Sequence, residues 1–302
     1  MAGDLNPMSA FSDALVQAVA KAGKSTVLVN GRHRLPASGI AYAPDLVLTA
    51  DHVVERDEDI SVMLPEGETI AVTIAGRDPG SDLALLRLDK ANTIPAEKVG
   101  QEAKVGQVVI ALGRPSQDGI EASFGIVSAV GGPARTGRGG LLERYLRTDA
   151  IPFPGFSGGP LVDTEGRVVG LNTSGLAHGA AITIPAFFAW SDAENLAKFG
   201  YIKRGYLGIR SQQVELSSDA SKTLGREQEA GLLLVSVEKG SPAEAGGLIV
   251  GDILVAINRQ PVTDHDALMV YLSGETVGKP ISIQVLRGGQ PAEISVTVGE
   301  RK

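Results

Sequence analysis

The chain has 302 residues, room for two domains of ordinary size, and is 43% hydrophobic with only 4% aromatics, so its cores are aliphatic. A formal net charge of −7 leaves no basic footprint for nucleic acid, and the lack of cysteine excludes disulfide frameworks, thiol nucleophiles and cysteine-built zinc sites. The 38 glycines and 16 prolines favour a turn-rich β protein over a helical bundle.

Residues 1–24 form an N-terminal segment. Met1 to Met8 contains Asp4 and no Lys or Arg, so it lacks the basic start of a secretion signal. No apolar run reaches the ~20 residues that span a bilayer. These features predict no transmembrane segment and a cytoplasmic location. Phe11, Leu15, Val16 and Val19 fall at helical spacing, which predicts an amphipathic helix over 11–21 capped by Ser12 or Asp13.

From Ser25 to Pro185 short β runs alternate with turns. Strands are predicted at 26–29, 39–42, 60–64, 108–112, 167–171 and 181–184, with turns such as Pro65-Glu66-Gly67-Glu68 and Asp163-Thr164-Glu165-Gly166 between them. This rhythm predicts a barrel or a sandwich.

Three motifs in this region carry chemistry. His52 stands where the buried run Leu46-Val47-Leu48 breaks. Asp82 heads the apolar run Leu83-Ala84-Leu85-Leu86, where a carboxylate is partly buried and needs a partner. Ser157 lies in Gly155-Phe156-Ser157-Gly158-Gly159-Pro160-Leu161, a tight turn whose main-chain N–H groups can converge on an oxyanion. Each has an ordinary reading alone: a core histidine, a turn residue after Asp78-Pro79-Gly80, a glycine-rich loop. Together they assign Asp82 to orient His52, His52 to take a proton, and Ser157 to attack. His33, His178 and His265 read as surface imidazoles.

Between these motifs, Gly131 to Gly140 is too glycine-rich to order itself and is a candidate switch. Residues 186–199 have helical periodicity and stop at Gly200, with Phe187, Phe188, Trp190 and Phe199 as one aromatic cluster. A domain boundary follows near Lys203-Arg204.

The order His52, Asp82, Ser157 is that of the chymotrypsin-like fold. With Thr49-Ala50-Asp51-His52-Val53-Val54, Ser81-Asp82-Leu83-Ala84-Leu85-Leu86, Ala111-Leu112-Gly113-Arg114-Pro115, Gly125-Ile126-Val127-Ser128-Ala129, Thr148-Asp149-Ala150 and Gly158-Gly159-Pro160-Leu161-Val162, the chain resembles an HtrA-type (DegP/DegS-like) serine protease. The match covers about residues 10–300. Arg204-Gly205-Tyr206-Leu207-Gly208-Ile209, Gly240-Ser241-Pro242-Ala243-Glu244-Ala245-Gly246-Gly247-Leu248 and Gly251-Asp252-Ile253-Leu254-Val255-Ala256-Ile257-Asn258 resemble one PDZ domain.

The resemblance implies an all-β-dominated fold: a chymotrypsin-like double β-barrel over 25–202, then a PDZ domain over 203–302, a β-sandwich with two helices. It implies an ATP-independent serine endopeptidase of protein quality control that degrades unfolded polypeptides, needs no cofactor or metal, and is a homotrimer. The oxyanion hole would be the N–H groups of Gly155 and Ser157. The specificity pocket would be Ile151, Phe153, Thr173, Ser174 and Gly175; lacking an acid at Ile151, it implies cleavage after small aliphatic residues. Tyr206, Leu207, Gly208 and Ile209 would bind a peptide C-terminus, walled by a helix over 266–272. Many such relatives work outside the cytoplasm, which is the alternative location.

Two departures stand out. Phe156 replaces the usual Asn before the nucleophile, so order in the oxyanion loop must come from packing. Gly131-Gly132 stand where relatives often place a sensing arginine, and Arg135 and Arg138 come later. The family pattern implies that peptide in the PDZ groove orders the 131–146 loop and with it the oxyanion hole. The competing reading is a catalytically weak or inactive peptide-binding, chaperone-like protein. The connection over 30–37 is too short to build large cages.

Overall fold

The strands nearest the candidate site are short runs of branched aliphatic residues, buried because neighbours cover both faces. Leu46–Ala50 is buried throughout, and Leu83–Leu88 at every position but Arg87. The computed structural model describes residues 6–90, 92–138, 140–177, 180–272 and 276–300. His178 lies outside them. The chain divides into two compact units, Met1–Ile202 and Lys203–Lys302.

The first unit holds two closed six-stranded barrels, as expected. One runs Thr26–Asn30, Ala37–Ala43, Leu46–Ala50, Leu83–Leu88, Thr69–Asp78 and Ile60–Met63, and closes through Leu28 opposite Met63. The other runs Tyr145–Thr148, Ala180–Pro185, Val168–Ala177, Pro160–Val162, Val108–Ser116 and Gly119–Gly131. Leu48 faces Leu85 in the first barrel, and Leu161 faces Ala111 in the second.

The N-terminal helix is longer than expected, Pro7–Gly23, and its cap differs. Asn6 Oδ1 accepts from the Met8 N–H at 3.1 Å, with Pro7 at the first helical position. Ala18 and Ala22 form its buried stripe, with Leu15 and Val19 packed beside them; Val16 is exposed. Ala186–Phe199 forms the second helix and ends at Gly200, whose φ of +80° gives the left-handed C-terminal turn. Gly76 lets it lie close, since a Cβ there would stand 2.7 Å from the Leu196 carbonyl oxygen. Its aromatic residues do not form one cluster: Trp190 packs on Tyr42, while Phe187 pairs edge-on with Phe188 and is exposed.

Pairing holds the described part of glycine-rich 131–140. Ala134–Arg135 and Leu141–Leu142 form a two-stranded hairpin. Across its turn the Thr136 N–H donates to the Gly140 carbonyl at 3.0 Å, and Thr136 Oγ1 donates to the Gly80 carbonyl at 2.8 Å.

The second unit is a six-stranded sheet in the order Ile209–Glu215, Ala230–Val237, Ile253–Ile257, Pro280–Arg287, Gln290–Thr297, with Gln260–Pro261 beside Ile253–Ile257. Among the described residues three short helices accompany it, Ser218–Leu224, Pro242–Gly246 and His265–Tyr271. Leu232, Leu234, Leu254, Ile257, Ile283, Val285 and Val296 make its core.

Candidate active site

Strand Leu46–Ala50 breaks into a single 3-10 turn, Asp51–Val53, which carries the histidine. Asp82 holds that turn from the other side. It sits in the left-handed region with φ +56° and is fully buried. Its carbonyl accepts the Asp51 N–H at 3.0 Å and its Oδ1 accepts the His52 N–H at 2.8 Å. Its Oδ2 accepts from His52 Nδ1 at 2.8 Å and from the Thr173 hydroxyl. A carboxylate with three such donors on its oxygens needs no solvent. With Nδ1–H given to Asp82, Nε2 is the basic nitrogen of His52.

The turn that carries Ser157 is held from strand Ala37–Ala43. Ser38 Oγ donates to the Gly155 carbonyl at 2.7 Å and accepts the Arg114 N–H at 2.8 Å; the Ser38 N–H donates to the Ser157 carbonyl at 3.1 Å. Arg114, buried, donates in turn to the Thr26 and Gly23 carbonyls, and this burial pulls its guanidinium below its ordinary pKa. Gly155 and Gly158 take φ of +91° and +85°, which a side chain resists. Among the described residues, the N–H groups of Gly155 and Ser157 have no acceptor. Both are therefore available to a developing oxyanion. Ser157 Oγ lies 3.2 Å from Ser174 Oγ, and no hydrogen bond joins it to His52 among the described residues. Catalytic hydrogen bonds often tighten only when substrate arrives.

Phe156 is wholly buried, edge-on to Phe153 with ring centroids 5.4 Å apart. Packing thus orders the turn where the expected asparagine is missing.

Beside Ser157 lies a cavity of about 350 Å³ lined by Arg32, Leu35, Phe153, Asn172, Thr173 and Ser174, among others. Two of the expected pocket residues lie elsewhere. Ile151 is 64% exposed and does not line it. Gly175 instead backs the histidine: a Cβ there would stand 2.5 Å from Asp82 Oδ2 and 2.6 Å from His52 Nδ1. Ser38, Arg114 and Asp51 were missed by sequence reasoning. Only the dipeptide Ser38-Gly39 at a strand opening hinted at the first.

In the second unit, Ile209–Glu215 is an edge strand among the described residues, paired on one side with Ala230–Val237. Gly208 precedes it at φ +78°, where a Cβ would stand 2.3 Å from Ser241 Cβ. The Leu207 carbonyl accepts the Ala243 N–H and the Gly208 carbonyl accepts the Glu238 N–H, while the Tyr206 hydroxyl donates to Glu238. His265 opens the flanking helix, and its Nε2 pairs with Ser211 Oγ at 3.1 Å, so it is bonded rather than a free surface imidazole. His33 is exposed.

Comparison with known proteins bears on this geometry. The description "Trypsin-like peptidase domain" matches residues 37–171 and "PDZ domain" matches 205–298. The probable periplasmic serine endoprotease DegP-like of Pseudomonas putida is 34% identical over 270 residues, 87% of this chain and 55% of that protein. The periplasmic pH-dependent serine endoprotease DegQ of Escherichia coli is 33% identical over 263 residues, 83% of this chain and 56% of that one. The chain therefore spans about half the length of the curated relatives it matches. The solved structure "HtrA-type protease AlgW with tripeptide" is 30% identical with a TM-score of 0.78, covering 95% of this chain and 97% of that one. The periplasmic naming of the relatives overturns the cytoplasmic expectation; residues Met1 to Met8 were no guide to compartment.

Proposed function

The chain belongs to the HtrA-type serine proteases, with a trypsin-like peptidase domain and one PDZ domain, and on that premise we propose that it is an ATP-independent serine endopeptidase acting on unfolded polypeptides. Ser157 Oγ attacks the scissile carbonyl carbon as His52 Nε2 takes its proton. The oxyanion settles on the N–H groups of Gly155 and Ser157, and His52 then protonates the departing amine. Water repeats the sequence on the acyl-enzyme. The observation that carries this reading is the shared Asp82 carboxylate, which binds both the main chain and the ring of His52.

Among the described residues, the cavity beside Ser157 has no acidic lining residue, and Arg32 is its one cation. A Lys or Arg side chain would meet like charge there, so a small aliphatic side chain before the scissile bond fits best. The edge strand Ile209–Glu215, beside helix His265–Tyr271, suits a peptide added as a further strand, its terminal carboxylate on the loop Tyr206-Leu207-Gly208-Ile209. Occupancy of that groove is the proposed activating signal. Assembly is proposed as a trimer: exposed Phe124 stands edge-on to Phe11 at 6.0 Å, an apolar surface for another subunit.

Digestion of unfolded casein by the chain and by Ser157→Ala, with the cleavage sites mapped, tests this. Cleavage after Val, Ala or Leu that vanishes in the variant supports it. Equal cleavage by both refutes the assignment of Ser157, and cleavage confined to Lys or Arg refutes the pocket.

A further inference from the structure

Asp51 is buried and ionisable, yet the mechanism above gives it no part. It is 1% exposed and directly precedes His52. A carboxylate in that position requires compensation. It has two arginines. Arg77 of strand Thr69–Asp78 donates Nε to Asp51 Oδ1 at 2.7 Å, and Arg138 of the hairpin turn donates Nη1 to Oδ2 at 3.1 Å. Arg77 is itself fixed, donating to the Val54 carbonyl at 3.1 Å and to Asp57 at 3.2 Å. The main chain of Asp51 is also engaged: its N–H goes to the Asp82 carbonyl and its carbonyl accepts the Val54 N–H at 3.0 Å.

The hairpin touches the same neighbourhood a second time. Thr136 Oγ1 bonds the Gly80 carbonyl, two residues before Asp82, and a Cβ at Gly140 would stand 2.2 Å from that carbonyl oxygen. One hairpin turn therefore contacts the chain just before the catalytic histidine and just before the catalytic aspartate.

Building on the protease reading above, we propose that Asp51 is a positioning residue for His52, its carboxylate clamped between Arg77 of the barrel and Arg138 of the hairpin, so that hairpin docking sets the catalytic histidine. With the hairpin docked, both carboxylate oxygens have cationic donors and the Asp51–Val53 turn is pinned at each end. With it undocked, Asp51 keeps a single arginine and a half-compensated buried charge, and the turn relaxes. Two arrangements of one charged contact are what a coupling between loop and site requires.

The test uses the full chain, with Arg138→Met, Arg138→Lys, Asp51→Asn and the double variant Asp51→Asn/Arg138→Met. Two measurements run together: the labelling rate of Ser157 by a fluorophosphonate, and amide hydrogen exchange over residues 51–54 and 134–142. Arg138→Met is expected to slow labelling roughly ten- to a hundredfold, the loss of one charge-assisted hydrogen bond, and to raise exchange in both segments. Lysine is expected to restore part of the rate. The double variant is expected to be no slower than Asp51→Asn alone. Unchanged exchange at 51–54 in Arg138→Met overturns the proposal whatever the activity, as do wild-type labelling by that variant or additive effects in the double variant. A wild-type chain that never labels overturns the protease reading instead, and the exchange measurement then decides the coupling alone.

Discussion

Gly113 and Phe156 are fitted to each other: a Cβ added at Gly113 would lie 2.3 Å from Cδ1 of the buried Phe156 ring. The ring that takes the place of the expected asparagine has its seat in a glycine more than forty residues upstream. Gly113→Ala is therefore expected to cost about 1–3 kcal/mol by overpacking and to displace the turn that carries Ser157. Thermal unfolding should fall together with fluorophosphonate labelling. A fully stable, fully labelled variant would mean that the ring has room elsewhere.

Ser38 ties down both sides of the oxyanion turn. Removing its hydroxyl in Ser38→Ala leaves the Arg114 N–H and the Gly155 carbonyl without their shared partner. A stability loss of about 1–3 kcal/mol is expected. A drop in kcat with KM little changed is expected too, because the proposed oxyanion donors at Gly155 and Ser157 would act on the transition state. A change confined to KM would contradict this role.

Gly175→Ala places a methyl against Asp82 and His52 together. Displacement of the dyad by about 1 Å is expected to lower kcat about a hundredfold. Steady-state kinetics on a chromogenic peptide measures it, with the melting temperature as the control for folding.

Asp252 organises the second unit. It is fully buried and accepts Arg287 Nε and Nη2, each at 2.8 Å, and the Ile249 N–H at 2.9 Å. Burial pushes its carboxyl up, but the Arg287 and Ile249 bonds outweigh this and hold it below the ordinary value of 3.8. A carboxylate depressed on folding stabilises above its unfolded pKa, and that contribution is lost as pH falls through the folded one. Asp252→Asn is expected to destabilise the unit by about 1–3 kcal/mol at neutral pH. The gap from wild type should shrink as the pH falls below the ordinary carboxyl value of 3.8. Amide exchange along Pro280–Arg287 at several pH values follows both. A gap independent of pH would contradict the ionised pair.

What could be read in advance was what is local. The three motifs of the proposed triad each carry their signal within a few residues: a strand that breaks, a carboxylate heading an apolar run, a serine among glycines. The Asn6-Pro7 helix start is equally local: a capping side chain followed by proline at the first helical position. Other features depend on residues far apart in the chain. Ser38 reaches Gly155, Gly175 faces Asp82, and Arg138 reaches Asp51 only because two barrels close. Glycine content marks 131–140 as unable to order itself and as a candidate switch, whereas partners outside that stretch hold its described residues: Ala134–Arg135 pairs with Leu141–Leu142, and Thr136 bonds Gly80. The pocket position assigned to Ile151 failed because that side chain lies exposed ahead of the turn at Pro154-Gly155.

The central claim is that Ser157 is a nucleophile activated by His52 and Asp82. Mass spectrometry of the chain treated with a fluorophosphonate tests it most directly, with His52→Ala and Ser157→Ala alongside. The account predicts one adduct on Ser157, lost in Ser157→Ala and strongly reduced in His52→Ala. An adduct elsewhere, or none even with a C-terminal peptide present, would contradict it.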